Sequence, residues 1–174
     1  QNDYGALLED GTGVNKNVPT AIGWYLKAAN NGDMPAMENL ARVFLSEDSV
    51  RDVEAGRGWL DRAVAAGSVR APALLGIAYR DGVGVVRDDA ASVEWFAKGA
   101  DLGDPAATRQ LAVAYRDGRG VEADAPLAFS LFRRAAELGN RPAAIQVALA
   151  FEEGRGVERV DVAARHWLGK AAQG

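Results

Sequence analysis

Apolar residues recur along the chain at the spacing of an α-helix. Ala107, Leu111 and Tyr115 are separated by four residues each, and at about 100° per residue they share one helix face. A second such face follows and is made of Ala128, Leu131, Phe132, Ala135 and Ala136. The pattern predicts two amphipathic helices between residues 104 and 139.

Residues at the ends of these stretches predict where each helix begins and ends. Gly118 follows the first apolar face, and glycine enters the left-handed conformation that commonly ends a helix at little cost. Asp124 precedes the second face as an N-cap, and Pro126 falls in its first turn, where a missing N–H costs little. Gly139 closes the second helix. Gly118 is thus predicted to be a hinge in left-handed backbone, so Gly118→Val should destabilise the protein by about 1 kcal/mol or more.

The same pattern returns at steps of 35 or 36 residues over the whole chain. The large residue near the end of the first helix recurs as Leu8, Phe44, Tyr79, Tyr115 and Phe151. A large residue of the second helix recurs as Trp24, Trp59, Trp95, Leu131 and Trp167. The closing glycine recurs as Gly32, Gly67, Gly103, Gly139 and Gly174. Five copies of one helical hairpin are therefore predicted.

Two copies depart from the common pattern. The second has Ser46–Val50 in place of the hinge glycines and is one residue shorter, so its first helix should end by a different route. The first lacks the opening turn of its first helix, and the chain begins at Gln1 without an initiator Met. We expect the sequence to be a piece of a longer protein whose array continues N-terminally.

Small residues are periodic as well, which predicts how the copies pack. Gly5, Ala41, Gly76, Ala112 and Ala148 share one register, and small side chains let two helix backbones approach closely. A single helix pair cannot bury both of its faces, so the pairs must stack. The predicted fold is all-α, a right-handed superhelical solenoid of five antiparallel helix pairs. Its units are residues 1–32, 33–67, 68–103, 104–139 and 140–174.

This pattern resembles the Sel1-like repeat family, a relative of the tetratricopeptide repeat. The residues that carry the resemblance in the fourth copy are Ala107, Leu111, Ala112, Tyr115, Gly118, Gly120, Val121, Asp124, Ala128, Leu131, Ala135, Ala136 and Gly139. The resemblance covers essentially the whole chain. It implies a non-enzymatic adaptor that binds other proteins, with the first helices lining the concave surface. In bacteria it points to cell-envelope assembly, exopolysaccharide assembly, polarity or signalling, and it favours a periplasmic or envelope location that the residues themselves do not decide.

Candidate chemical sites have simpler structural explanations. A Gly-x-Gly beside arginine suggests a phosphate loop, but these glycines lie between two helices and not between a strand and a helix. His166 is the only histidine, and there is no cysteine. The acidic pair Asp88-Asp89 contains a helix cap, and Glu152-Glu153 closes a helix on a solvated face. We therefore predict no catalytic residue, no bound metal and no cofactor.

Composition narrows the class of partner. The 174 residues include 20 Lys and Arg against 24 Asp and Glu, a formal charge of −4, which argues against binding to nucleic acid. No apolar run reaches the roughly 18 residues of a membrane span, so direct membrane insertion of this chain is not expected.

One surface pattern is not explained by the core. Ile77, Val113 and Leu149 lie opposite the buried face of three successive first helices, where polar residues are expected. With arginines at their borders they form the candidate partner-binding site, which consists of Arg42, Ile77, Arg80, Arg109, Val113, Arg116 and Leu149. We expect this stripe to stay exposed, to line one channel and to take a partner helix or an acidic extended peptide.

Two alternatives remain open for these features. Neighbouring first helices could bury the stripe residues against each other. The arginines could instead face an acidic exopolysaccharide, in which case exposed aromatic residues for sugar stacking should accompany them. The Trp series has core periodicity, which favours packing over a sugar platform.

Overall fold

The computed structural model describes residues 1–173, which form ten α-helices and no strand. The helices are α1 Asn2–Asp10, α2 Val18–Asn30, α3 Met34–Ser46, α4 Val53–Ala65, α5 Ala71–Asp81, α6 Asp89–Asp101, α7 Pro105–Asp117, α8 Ala125–Glu137, α9 Arg141–Glu153 and α10 Asp161–Gln173. Each helix packs against the next along the chain. The predicted all-α solenoid of five helix pairs is confirmed.

Side-chain caps begin most of these helices, as the sequence predicts. The carboxylate of Asp124 accepts a hydrogen bond of 2.9 Å from the backbone N–H of Leu127. Equivalent caps are made by Asn17, Asp33, Asp52, Asp88, Asp104 and Asn140. Each cap pairs an otherwise unsatisfied N–H and contributes about 1 kcal/mol.

The hinge prediction is also confirmed. Gly118 has φ 64° and ψ 35°, left-handed backbone in which its N–H reaches the carbonyl of Ala114. The second copy differs as expected, because Glu47 leaves α3 in extended backbone and a one-turn 3-10 helix, Asp48–Val50, follows. The expected closing residue Gly174 lies outside the described residues.

The core runs along the axis of the stack and depends on close helix contacts. Phe96 of α6 is 2% exposed and lies over Gly76 of α5. A Cβ at Gly76 would overlap the Phe96 ring, so the small residue predicted at this register is required by packing. The register of Phe96 is buried in each of the first four copies, as Tyr25, Leu60, Phe96 and Phe132.

Candidate functional site

Each boundary between successive repeats brings the two helices of one repeat against the first helix of the next. We call the surface position formed there a junction site and number it by the repeats that it joins. At junction site 2–3, Leu45 of α3, Leu60 of α4, and Leu74 and Ile77 of α5 line one hollow. The residues at the same registers line the corresponding hollows of the next two junction sites. These three junction sites therefore share a common set of registers, and the side chains at those registers differ from one junction to the next.

Junction site 2–3 is the most open and the most apolar. Its hollow has a volume of about 220 Å³ and also touches Ala78 and Val83. The floor is Leu60, which is 1% exposed. Arg42 and Ser46 of α3 are the two polar residues on its wall.

Junction site 3–4 is nearly filled by an arginine from the preceding repeat. Its hollow is about 20 Å³ and is lined by Arg80, Val113 and Arg119, among others. Arg80 donates two hydrogen bonds, of 2.7 and 2.8 Å, to the carboxylate of Asp81. These bonds lower the pKa of Asp81 and raise the pKa of Arg80, so both groups remain charged.

Junction site 4–5 repeats this arrangement with more space. Arg116 donates to Asp117 at 2.7 and 3.0 Å and to Gln146 of the next repeat at 3.0 Å. Its guanidinium lies 5.9 Å from the centre of the Phe132 ring. The remaining hollow is about 140 Å³ and includes Leu149.

Junction site 1–2 is closed by a hydrogen-bonded network. Arg42 donates two bonds of 2.6 Å to the carboxylate of Glu9. The hydroxyl of Tyr25 donates a third bond, of 2.8 Å, to the same carboxylate. The bonds from Arg42 are the main cause that lowers the pKa of Glu9, whereas burial is the main cause that raises the pKa of Tyr25. Arg42 is therefore committed to an internal ion pair.

The structure places the three stripe residues in equivalent but separate positions. Ile77, Val113 and Leu149 are each partly buried, and each lines a different hollow. The three hollows share no lining residue, so the stripe forms a row of hollows and not one continuous channel. Ile77 and Val113 also pack against the adjoining core clusters. The alternative in which neighbouring helices bury the stripe residues is therefore met in part.

Some of the lining residues were missed by the sequence analysis. Leu45 and Leu74 stand where the next two repeats carry an arginine and a glutamine, a departure from register that could have revealed them. Arg119 lies in the hinge loop, where its place within the Gly-x-Gly motif gives no sign that it lines a hollow. Arg109, a predicted site residue, is partly buried and forms no ion pair within residues 1–173.

A family model described as Sel1 repeat matches residues 1–33, 35–68, 71–104, 105–140 and 141–174. The chain belongs to the Sel1 repeat family. Sel1 repeat proteins generally mediate protein–protein interactions, and the family is generally a non-enzymatic scaffold. No curated protein matches the chain significantly.

Solved Sel1 repeat structures share this fold. One is c5321, a protective antigen of uropathogenic Escherichia coli strains with an SLR fold, which is 28% identical with a TM-score of 0.85. The match covers 99% of this chain but 37% of that protein, so this chain spans well under half of its length. A Sel1 repeat protein from Oxalobacter formigenes is 26% identical over 99% of this chain and 71% of its own, with a TM-score of 0.81. The immunity protein Pa5087 from Pseudomonas aeruginosa, at 17% identity and a TM-score of 0.70 over 99% of this chain and 66% of its own, shows the fold alone.

The Trp series of these Sel1 repeats is engaged within the fold. A cation lies over each Trp ring, at 4.0 Å from Arg62 to Trp59 and from Lys98 to Trp95. Lys27 over Trp24 and Lys170 over Trp167 repeat the arrangement at 4.7 and 4.6 Å. One face of each ring is thus already covered by a side chain three residues later on the same helix. Sugar stacking on that face would have to displace these cations.

Metal-binding clusters and membrane-spanning helices are both absent from residues 1–173. Among residues 1–173, no group of three or more His, Cys, Asp or Glu is placed to hold a metal ion. Over the same residues, no helix has the length and apolar character needed to cross a bilayer.

Proposed function

We propose that this Sel1 repeat array is an adaptor that binds a partner protein or peptide through the face of its first helices, the concave face in this family. The binding residues are Arg42, Ile77, Arg80, Arg109, Val113, Arg116 and Leu149. The observation that carries the proposal is the row of junction sites, in which a partly exposed apolar residue recurs beside arginine.

The row of junction sites offers a partner several concave positions on one face of the array. Binding free energy concentrates in a few apolar or arginine contacts that seat in concave positions and exclude water. The three hollows provide such positions at equal register, so a partner that crosses several repeats can engage more than one of them. Arg109, which forms no ion pair within residues 1–173, adds hydrogen-bond donors for carboxylates of the partner.

The cellular setting of this adaptor is part of the proposal. The resemblance to the Sel1-like repeat family is the ground for a role in bacterial cell-envelope assembly, polarity or signalling, and the solved neighbours are themselves bacterial proteins. The partner in that setting is a protein, consistent with how Sel1 repeats generally act.

The test is affinity capture with matched variants. Immobilised wild type, Val113→Glu, Arg109→Glu and Val86→Glu are compared for the proteins that each retains from a bacterial lysate, and each variant is first checked by thermal unfolding. Val86 is 89% exposed and lines none of the three hollows, so it is the control. We expect a partner that wild type and Val86→Glu retain and that the other two variants lose.

The variants at positions 109 and 113 differ in their expected effect on the stability of the fold. Val113 is partly buried, so its glutamate variant could lose stability, whereas Arg109→Glu changes a side chain that forms no internal ion pair within the described residues. A folded pair of variants that retains every wild-type partner would disprove the proposed surface.

A further inference from the structure

We infer that junction site 2–3 is an anchor pocket that takes one bulky apolar side chain, leucine or phenylalanine, from an acidic segment of the partner protein. The inference rests on the proposed function and names the partner chemistry that one of its junction sites selects. The hollow is lined by Leu45, Leu60, Leu74, Ile77, Ala78 and Val83.

The size and lining of the hollow fit such a side chain. An apolar cavity of about 150 Å³ is sufficient to hold a benzene ring, and this hollow measures about 220 Å³. Its wall contributes two polar residues, Arg42 and Ser46, and the guanidinium of Arg42 is already bound to Glu9. Water in the hollow therefore has few partners, and an apolar group that replaces it is favoured.

Comparison by register shows that the fold does not require this apolar lining. The position of Leu45 is Glu9, Arg80 and Arg116 in the first, third and fourth repeats. The position of Leu74 is Asn39, Gln110 and Gln146 in the second, fourth and fifth repeats. The other three junctions thus pack normally with polar side chains at both positions, and only here are both replaced by leucine.

The floor of the pocket explains its volume. Leu60 occupies the register at which the other internal junctions place Tyr25, Phe96 or Phe132. Leucine is smaller than an aromatic ring, and no arginine from the preceding repeat covers it, since Leu45 stands where Arg80 and Arg116 lie at the next two junctions. The missing volume is open to solvent at the surface and is available to a partner.

The surroundings define where the segment extends and what charge it carries. On the N-terminal side, the Glu9–Arg42–Tyr25 network closes the neighbouring junction. On the C-terminal side, junction site 3–4 carries Arg119, which forms no ion pair within residues 1–173, as is also true of Arg109.

Three carboxylates near Arg119 are already paired. Asp81 binds Arg80, Asp89 binds Arg87 and Asp117 binds Arg116. The lining of junction site 3–4 carries Arg80 and Arg119 against one carboxylate, Asp89, and this surplus positive charge complements acidic residues placed on the side of the anchor that faces repeats 4 and 5.

The experiment uses synthetic peptides as probes. A fluorescein-labelled series has equal length, glutamates on one side of a central position, and phenylalanine, leucine, alanine or serine at that position. Fluorescence anisotropy measures the dissociation constant for each peptide. We expect the phenylalanine and leucine peptides to bind wild type at least tenfold more tightly than the alanine peptide, and replacement of the glutamates by glutamines to weaken binding.

Each pocket variant replaces a leucine by the residue that neighbouring repeats carry at the same register. Leu45→Arg and Leu74→Gln introduce the residues that the next repeats carry at these positions, so the fold accommodates them at neighbouring junctions. We expect both to abolish the preference for phenylalanine over alanine, while Val86→Gln, which changes an exposed valine, leaves the preference unchanged. Arg119→Gln should reduce the difference in affinity between the glutamate peptides and the glutamine peptides.

Every outcome decides the inference. Equal affinity of wild type for the phenylalanine and alanine peptides overturns it, and this comparison needs no variant. Retention of the preference by a folded Leu45→Arg or Leu74→Gln protein also overturns it. If affinity capture depends on Val113 and Arg109 but not on Leu45, the proposed function stands and the anchor pocket is wrong; if it depends on none of them, both are wrong.

Discussion

The guanidinium of Arg42 forms two hydrogen bonds of 2.6 Å with the carboxylate of Glu9, 33 residues earlier and in the preceding repeat. The Glu9 side chain is 12% exposed and the Arg42 side chain is 48% exposed, so the pair is partly shielded from water. The hydroxyl of Tyr25 donates a hydrogen bond to the same carboxylate. Three residues from three helices are thus joined across one junction, and this junction should depend on polar contacts more than the others do.

Arg42→Met should destabilise the protein by about 1.5–3 kcal/mol, because it leaves a partly buried carboxylate with one of its two partners. Urea unfolding at neutral pH measures the change. Arg133→Met is the control, since the Arg133–Glu137 pair is more than half exposed on both sides and such pairs contribute about 0.5 kcal/mol or less. Equal losses of unfolding free energy in the two variants would contradict a larger contribution from the Arg42–Glu9 pair.

The contribution of Glu9 should depend on pH in a defined direction. Its pKa is lowered in the folded state, so its stabilisation is present above the unfolded pKa, about 4.3, and is lost as the pH falls through the folded value. The difference in unfolding free energy between wild type and Glu9→Gln should therefore be constant near neutral pH and shrink in acid. Urea midpoints at a series of pH values measure it, and a difference that does not change with acidification would refute the linkage.

Gly120 should be less replaceable than Gly139, although both glycines have left-handed backbone. A Cβ at Gly120 would overlap the backbone carbonyl of Asp89 in the preceding repeat, in addition to the strain of φ 71°. Gly139 has φ 89° but no atom within 4 Å of an added Cβ, so Gly139→Ala should cost about 1–2 kcal/mol and Gly120→Ala clearly more. Gly23→Ala, in an open helical position, should stabilise by about 0.5–1 kcal/mol. Thermal unfolding of the three variants ranks their stabilities. Any other ranking contradicts the close approach of Gly120 to the Asp89 carbonyl.

Phe132 and Leu168 share one register but should respond differently to truncation. Phe132 is 3% exposed because the fifth repeat covers it, whereas Leu168 of α10 is 41% exposed. Phe132→Ala should cost about 3–5 kcal/mol, and Leu168→Ala about 1 kcal/mol. Chemical denaturation of the two variants tests this, and a large loss at Leu168 would contradict the exposure of its side chain.

Much of this fold follows from local rules that the sequence states directly. The helices, the caps at Asp124 and its equivalents, and the left-handed hinge at Gly118 depend on backbone groups within a few residues of each other, so their positions could be predicted from residue type and spacing. The altered exit at Ser46–Val50 was predictable for the same reason, because a missing glycine removes one backbone conformation.

The candidate site was predictable only in part. Helical periodicity placed Ile77, Val113 and Leu149 on one side of their helices, but it could not show how closely successive helix pairs stack or which side chain of the preceding repeat reaches each of them. That arrangement gives Ile77 an open hollow beside Leu45 and gives Val113 a narrow one beside Arg80. Sequence determined the repeat because its hydrogen bonds and apolar faces are local. The tertiary structure decided the contents of each junction, because these depend on the volumes and charges of side chains about one repeat apart that meet only when the repeats stack.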